Sequence, residues 1–142
     1  MNKWDDRFMT MAEMVATWSQ DPSTKVGAVI VDPARKRVVS MGYNGFPRGV
    51  DDNPLRLADR FERLSLTVHA ELNSILHARE PLDGFTIYVA PLHPCSNCAA
   101  ALIQAGIKRV VYRQPQFAAR WEDSFNMASK VLTEAGVEIQ EI

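Results

Sequence analysis

The sequence predicts an α/β protein, a three-layer α-β-α sandwich around a five-stranded mixed sheet whose last strands are parallel. Three observations carry this expectation. Short β-branched apolar runs alternate with helical stretches in the order α-β-β-α-β-α-β-α-β. Two helical crossovers follow the third strand, and a crossover of that length joins parallel strands, so strands three, four and five should run together. Helices are available for both faces of the sheet, which gives three layers.

At the N-terminus, Trp4, Phe8, Met11, Val15 and Trp18 recur at steps of four and three, one stripe of an amphipathic helix that packs on the core. Asp21-Pro22-Ser23 stops that helix. Residues 26–31 (VGAVIV) are bounded by turn signals and read as a buried strand. After the turn at Asp32-Pro33-Ala34-Arg35, residues 38–43 return as the second strand of an antiparallel hairpin. A Gly- and Pro-punctuated loop, Asn44-Gly45-Phe46-Pro47-Arg48-Gly49, follows and is prolonged to Pro54. Residues 55–64 form a short helix with Arg56, Arg60 and Arg63 on one face. Asp59 and Glu62 are interleaved, which suits a salt-bridged surface, or else the face meets a phosphate or a partner. A helix containing His69 runs to about residue 79. Residues 85–90 form the third strand, and a helix opened by the cysteines ends at Gly106 in a left-handed cap. Residues 108–113 (KRVVYR) are the fourth strand, 117–135 a helix capped by Gly136, and 137–142 the fifth strand.

A length of 142 residues fits a single domain spanning 1–142 that can bury a full core without disulfides. The net charge of −1 argues against a protein that lives on nucleic-acid phosphates, so nucleic acid is an unlikely partner. The first twenty residues carry acidic side chains and no uninterrupted apolar run, so neither a signal peptide nor a membrane span is expected. The two cysteines stand at metal-ligand spacing, which fits a reducing, cytoplasmic setting.

Those cysteines lie in Pro94-Cys95-Ser96-Asn97-Cys98. Two thiols separated by two residues reach one ion from a single turn of backbone, the commonest half-site for tetrahedral zinc. At a helix start they should also ionise readily, and thiolate is the form that binds metal. Upstream, Thr67-Val68-His69-Ala70-Glu71-Leu72 supplies a histidine and a carboxylate. One His and two Cys leave the fourth position of a tetrahedral zinc open, the mark of a catalytic site, with Glu71 as the candidate proton carrier. A redox Cys-x-x-Cys pair would leave His69-Ala70-Glu71 unexplained. A structural zinc would need a fourth ligand, for which His77 or His93 is available; His93 could equally line the pocket without touching the metal. Regular helix geometry sets His69 and Glu71 about 200° apart. They share a pocket only if His69 sits at the irregular edge of its helix, with Thr67 or Ser65 as a possible cap.

The order H-x-E followed by P-C-x-x-C is a signature of zinc nucleobase deaminases, and the chain resembles the cytidine and deoxycytidylate deaminase superfamily. The resemblance runs over residues 21–112, through Asp21-Pro22, Val26-Gly27-Ala28, Gly42-Tyr43-Asn44-Gly45, His69-Ala70-Glu71-Leu72-Asn73, Pro94-Cys95 with Cys98, and Ile103-Gln104-Ala105-Gly106-Ile107-Lys108. The Gly-Tyr-Asn-Gly loop and the Ile-Gln-Ala-Gly-Ile-Lys run point to the deoxycytidylate branch. The resemblance implies hydrolytic deamination of dCMP to dUMP and ammonia, Zn2+ held by His69, Cys95 and Cys98, and Glu71 as proton shuttle. It further implies that Asn44 bonds the sugar, that Ala70 contacts substrate, and that the chain assembles as a homo-oligomer, a hexamer or a dimer. Lys25, within Ser23-Thr24-Lys25, and Arg48 are the candidates for meeting the substrate phosphate. Control by dCTP, with Mg2+, and by dTTP would use the Gly-Tyr-Asn-Gly loop, with Arg56, Arg60 and Arg63 as its positive face. The alternatives are a deaminase of another base, nucleoside or nucleotide, a nucleic-acid base deaminase, and a non-catalytic zinc module. His93 stands where relatives usually carry Phe or Glu, and Ser96-Asn97 replaces a frequent Pro-x pair.

Overall fold

The computed structural model describes residues 2–115 and 119–142. Its sheet has the strand order β2-β1-β3-β4-β5, with β1 (Gly27–Asp32), β2 (Arg37–Tyr43), β3 (Thr86–Ala90), β4 (Arg109–Tyr112) and β5 (Glu138–Glu141). β1 pairs antiparallel with both β2 and β3, while β3-β4 and β4-β5 are parallel. The mixed sheet and its parallel end are therefore as expected. No helix among the described residues is long and apolar enough to cross a membrane.

Every residue of β1 and β3 is buried, because helices cover both faces. The pleat sorts the side chains. Val29, Val31, Tyr88, Ala90 and Val111 face α1 (Lys3–Ala16), whereas Ala28, Ile30, Ile87, Val89 and Val110 face the opposite layer. That layer contains α4 (Ala70–His77), α5 (Ser96–Ala105) and α6 (Glu122–Glu134).

The buried face of α1 is turned from the expected stripe. Phe8 and Val15 are inside, but with Met9, Ala12 and Ala16, and the helix ends before Trp18, which is 49% exposed. Gly27 supplies the reason. A Cβ there would meet the Ala12 carbonyl and would lie 2.5 Å from the Ala16 nitrogen, so helix and strand touch backbone to backbone and small residues occupy the contact.

The helix expected over 55–64 is two short ones, α2 (Pro54–Ala58) and α3 (Arg60–Leu66). Asp59 breaks it: its backbone is extended, and its side chain accepts the Glu62 amide at 3.0 Å, a cap that competes with helix continuation. Neither short helix buries a residue. Between Tyr112 and α6, a 3-10 turn occupies Ala119–Trp121; the expected helix start at Phe117 lies outside the described residues. Gly106 adopts the left-handed cap that ends α5, with φ 91°.

Candidate active site

Both metal-ligand segments use one local device. His69 is the N-cap of α4 and Cys95 the N-cap of α5, each with extended backbone and neither side chain capping its own helix. An N-cap side chain ordinarily accepts a first-turn amide; here both are turned to each other. This resolves the 200° separation, since only Glu71 is inside the helix. It also corrects the expected cap. Thr67 belongs to the end of α3, donating to the Arg63 carbonyl, and Ser65 lies within that helix.

α4 is fixed tightly on β2. A Cβ on Gly42 would sit 2.6 Å from both the Ala70 carbonyl oxygen and the Ser74 nitrogen, so glycine permits the approach. Ser40 Oγ donates to the Ser74 carbonyl at 2.7 Å, and Asn73 Nδ2 to the Tyr43 carbonyl at 2.9 Å. His77 Nδ1 lies 3.1 Å from the Met41 carbonyl, which engages this histidine on β2. Gly45 and Val68 exchange backbone hydrogen bonds of 3.1 and 2.8 Å, tying the Gly-Tyr-Asn-Gly loop to the residue before His69. α5 starts beyond the carboxyl end of β3, where ligands collect in parallel sheets.

The His69 Nδ1 lies 3.4 Å from both the Cys95 and Cys98 Sγ atoms, and the three ligand atoms lie within 4.8 Å of one another. A tetrahedral zinc with ordinary Zn–S and Zn–N bonds separates such a nitrogen and sulfur by about 3.6 Å. The donor set fits zinc. Among the described residues no fourth ligand joins the group. The bond from Cys98, together with contact with His69, holds the Cys95 thiol below its ordinary range. The same bond, with burial, pushes Cys98 up. Contact with Cys95 raises His69.

His69 and Cys95 open onto a cavity of about 310 Å³ that Glu71 also lines, with Cys98 buried behind them. Glu71 is only 4% exposed, and burial pushes its carboxyl up to about 7. Such a group can take or release a proton at neutral pH. Ala70, fully buried, borders it.

Asn44 lines the cavity too, but much of its amide is already used. Its Oδ1 accepts the Val26 amide at 2.8 Å and its Nδ2 donates to the Thr24 carbonyl at 2.9 Å. One N–H and one lone pair remain for a ligand. His93 lines the cavity beside Cys95. Its Nδ1 lies 2.7 Å from the Pro94 carbonyl and therefore donates, and the ring meets Tyr112 edge-on at 4.7 Å. As one expectation had it, His93 borders the pocket without joining the metal group.

Lys25 and Arg48 are exposed and are not among the described residues lining this cavity. Instead Arg60 and Arg63 of α3 and Arg120 of the 3-10 turn line it, with Ser23 and Thr24. The three-arginine face is thus divided, because Arg56 reaches Glu62 at 3.5 Å and the Asp51 carbonyl at 3.1 Å. Arg120 carried no motif and was not legible as a site residue. Arg60 and Arg63 belong to the face whose sequence allows either a salt-bridged surface or one that meets a phosphate, and both line the cavity.

A family profile described as the cytidine and deoxycytidylate deaminase zinc-binding region matches residues 2–114. An uncharacterized deaminase from Aliivibrio fischeri is 44% identical over 144 residues, covering 98% of this chain and 93% of that one. The deoxycytidylate deaminase of Homo sapiens is 38% identical over 121 residues, 81% of this chain and 67% of the human one. Among solved structures, the dCMP deaminase of the cyanophage S-TIM5, in complex with dCMP and dUMP, superposes with a TM-score of 0.77 at 27% identity, covering 100% and 99% of the two chains. The chain belongs to the cytidine and deoxycytidylate deaminase family, whose zinc-binding region it contains.

Proposed function

We propose that this member of the family hydrolyses dCMP to dUMP and ammonia within one zinc-dependent deaminase domain. The observation that carries the reading is one cavity with two chemically distinct sets of groups. Its wall holds Glu71 with His69 and Cys95, two members of the donor group that Cys98 completes, and it holds three arginines suited to one phosphate. Relatives named as deoxycytidylate deaminases, and the neighbour solved with dCMP and dUMP, support the same substrate.

His69, Cys95 and Cys98 would hold the metal. Bound zinc lowers the pKa of water toward neutrality and so makes hydroxide available at pH 7. Glu71 accepts the proton lost by the attacking water and delivers it to N3 of cytosine, which makes C4 electrophilic. The hydroxyl of that water bonds to C4; Glu71 then takes the second proton from this hydroxyl and hands it to the amine as the C4–N bond breaks, so one water is consumed and one ammonia leaves. The remaining N–H and lone pair of Asn44 can meet a sugar hydroxyl, and Arg60, Arg63 and Arg120 can neutralise the phosphate. Exposed Leu55, Phe61 and Leu76 support assembly with further copies of the chain, and the two free cysteines support a reducing cytoplasm.

The test is ammonia release from cytosine, deoxycytidine, dCMP and a cytosine-containing oligonucleotide, in the wild type and in Arg60→Ala and Arg120→Ala. dCMP should be the best substrate, and each arginine variant should raise its KM about tenfold, as expected for loss of a charge-assisted hydrogen bond, with little change for deoxycytidine. Preference for deoxycytidine or the oligonucleotide would overturn the reading.

A further inference from the structure

α5 begins with a deficit. Its N-cap, Cys95, makes no side-chain cap bond, so the first-turn amides need another partner. One comes from a different helix. Ser124 of α6 accepts the Ser96 amide on its Oγ at 3.0 Å, and its hydroxyl lies 3.3 Å from the Ser96 Oγ, to which it donates. The Ser96 amide belongs to the same peptide unit as the Cys95 carbonyl, and that carbonyl accepts the Ala99 amide at 2.9 Å. The peptide leaving Cys95 is therefore held at both its N–H and its C=O. That fixes the backbone angle from which the Cys95 thiol is aimed at His69.

We infer that Ser124 is a positioning residue for the metal centre, an acceptor for the first amide of α5, the helix whose N-cap side chain is turned to the metal group. Ser124 neither touches the ligand atoms nor lines the cavity among the described residues. It acts through the Cys95–Ser96 peptide. The residue after it, Phe125, forms part of the cavity wall, as do Arg120 and Trp121 just before, so one short segment both borders the substrate space and steadies the metal-binding turn. The inference rests on the zinc centre and not on the identity of the nucleotide.

The experiment follows zinc release from the loaded protein to a chromophoric chelator, without substrate, alongside thermal melting. Ser124→Ala should speed release about tenfold, in the range seen when outer partners of metal ligands are removed. Ser124→Thr, which keeps a hydroxyl, should restore the wild-type rate. Ser96→Pro removes the donor by a separate route, and proline suits the first position of a helix. It should speed release by a similar factor with no loss of melting temperature. The double variant Ser96→Pro/Ser124→Ala should release zinc no faster than either single one, because both remove the same bond. Unchanged release in Ser124→Ala and Ser96→Pro, or additive effects in the double variant, would overturn the assignment. Failure of the dCMP assay would not bear on it.

Discussion

Asp5 and Glu71 are carboxylates buried to nearly the same degree, 2% and 4% exposed, on opposite sides of one sheet. Their surroundings push them in opposite directions. Asp5, on α1, receives a two-pronged contact from Arg109, with both N–O distances 2.8 Å, and a 2.7 Å bond from the Tyr88 hydroxyl. The arginine bond holds its carboxyl down at about 2 against the cost of burial. Glu71 has burial as its dominant influence and is pushed up to about 7. Opposed shifts of this kind separate a fixed charge from a group able to exchange protons. One carboxylate clamps a helix to the sheet, and the other is free to exchange protons at the cavity wall.

The sharpest way to break the comparison is to neutralise each carboxylate without changing its shape. Glu71→Gln should fold and retain zinc yet lose turnover by at least about 10²–10⁴-fold, the range for a general acid–base group, since this one would act in both proton transfers. Turnover of dCMP and bound zinc per chain are the two readings. Near-normal turnover would remove Glu71 from the mechanism, and loss of zinc would make it a structural support.

Which half of this contrast the sequence discloses depends on distance along the chain. His69, Glu71, Cys95 and Cys98 fall in two short motifs, and the helix-start position that lets His69 and Glu71 share a pocket follows from helix geometry. The strands are legible because VGAVIV and its successors are apolar, β-branched and bounded by turns. The Asp5–Arg109 contact, by contrast, joins residues 104 apart with no motif at either end. Arg120 likewise reaches the cavity from a stretch that carries no motif, whereas Lys25 and Arg48 are exposed outside its lining. Hydrophobic periodicity also misplaced the buried face of α1, because the contact with Gly27 selects small residues and periodicity weights large ones.

Asp5→Asn should show the mirror image of Glu71→Gln, with zinc and turnover kept and stability lost. Breaking one side of a buried pair costs about 3 kcal/mol near neutral pH. The pH dependence identifies the cause. The folded-state pKa of Asp5 lies below the ordinary 3.8, at about 2, so its charge contributes stability above pH 4 that disappears as pH falls through 2. That contribution is about 2.5 kcal/mol by linkage. Denaturant melts from pH 2 to 6 should therefore show wild type and Asp5→Asn converging toward the acid end. A gap that stays constant with pH would mean that shape, and not charge, holds this contact.

Tyr88→Phe is the finest cut, because it removes one hydroxyl and leaves both arginine bonds in place. The Tyr88 hydroxyl donates to Asp5 Oδ1, and burial, followed by that contact, raises its own pKa. A hydrogen bond to a charged acceptor contributes about 1.5–3 kcal/mol. Since Oδ1 keeps its Arg109 partner at 2.8 Å, the loss should fall at the lower end, about 1.5 kcal/mol. The acid limb of the stability curve should move slightly upward in pH, because one of the influences lowering Asp5 is gone. Combined with Asp5→Asn, the substitution should cost little more than Asp5→Asn alone, since a donor facing a neutral amide has already lost most of its charge assistance. Strict additivity in that cycle would show that the Tyr88 hydroxyl contributes independently of the Asp5 charge, and no loss at all in Tyr88→Phe would leave only the ring, packed 5.4 Å from Phe8 between centroids, as its contribution.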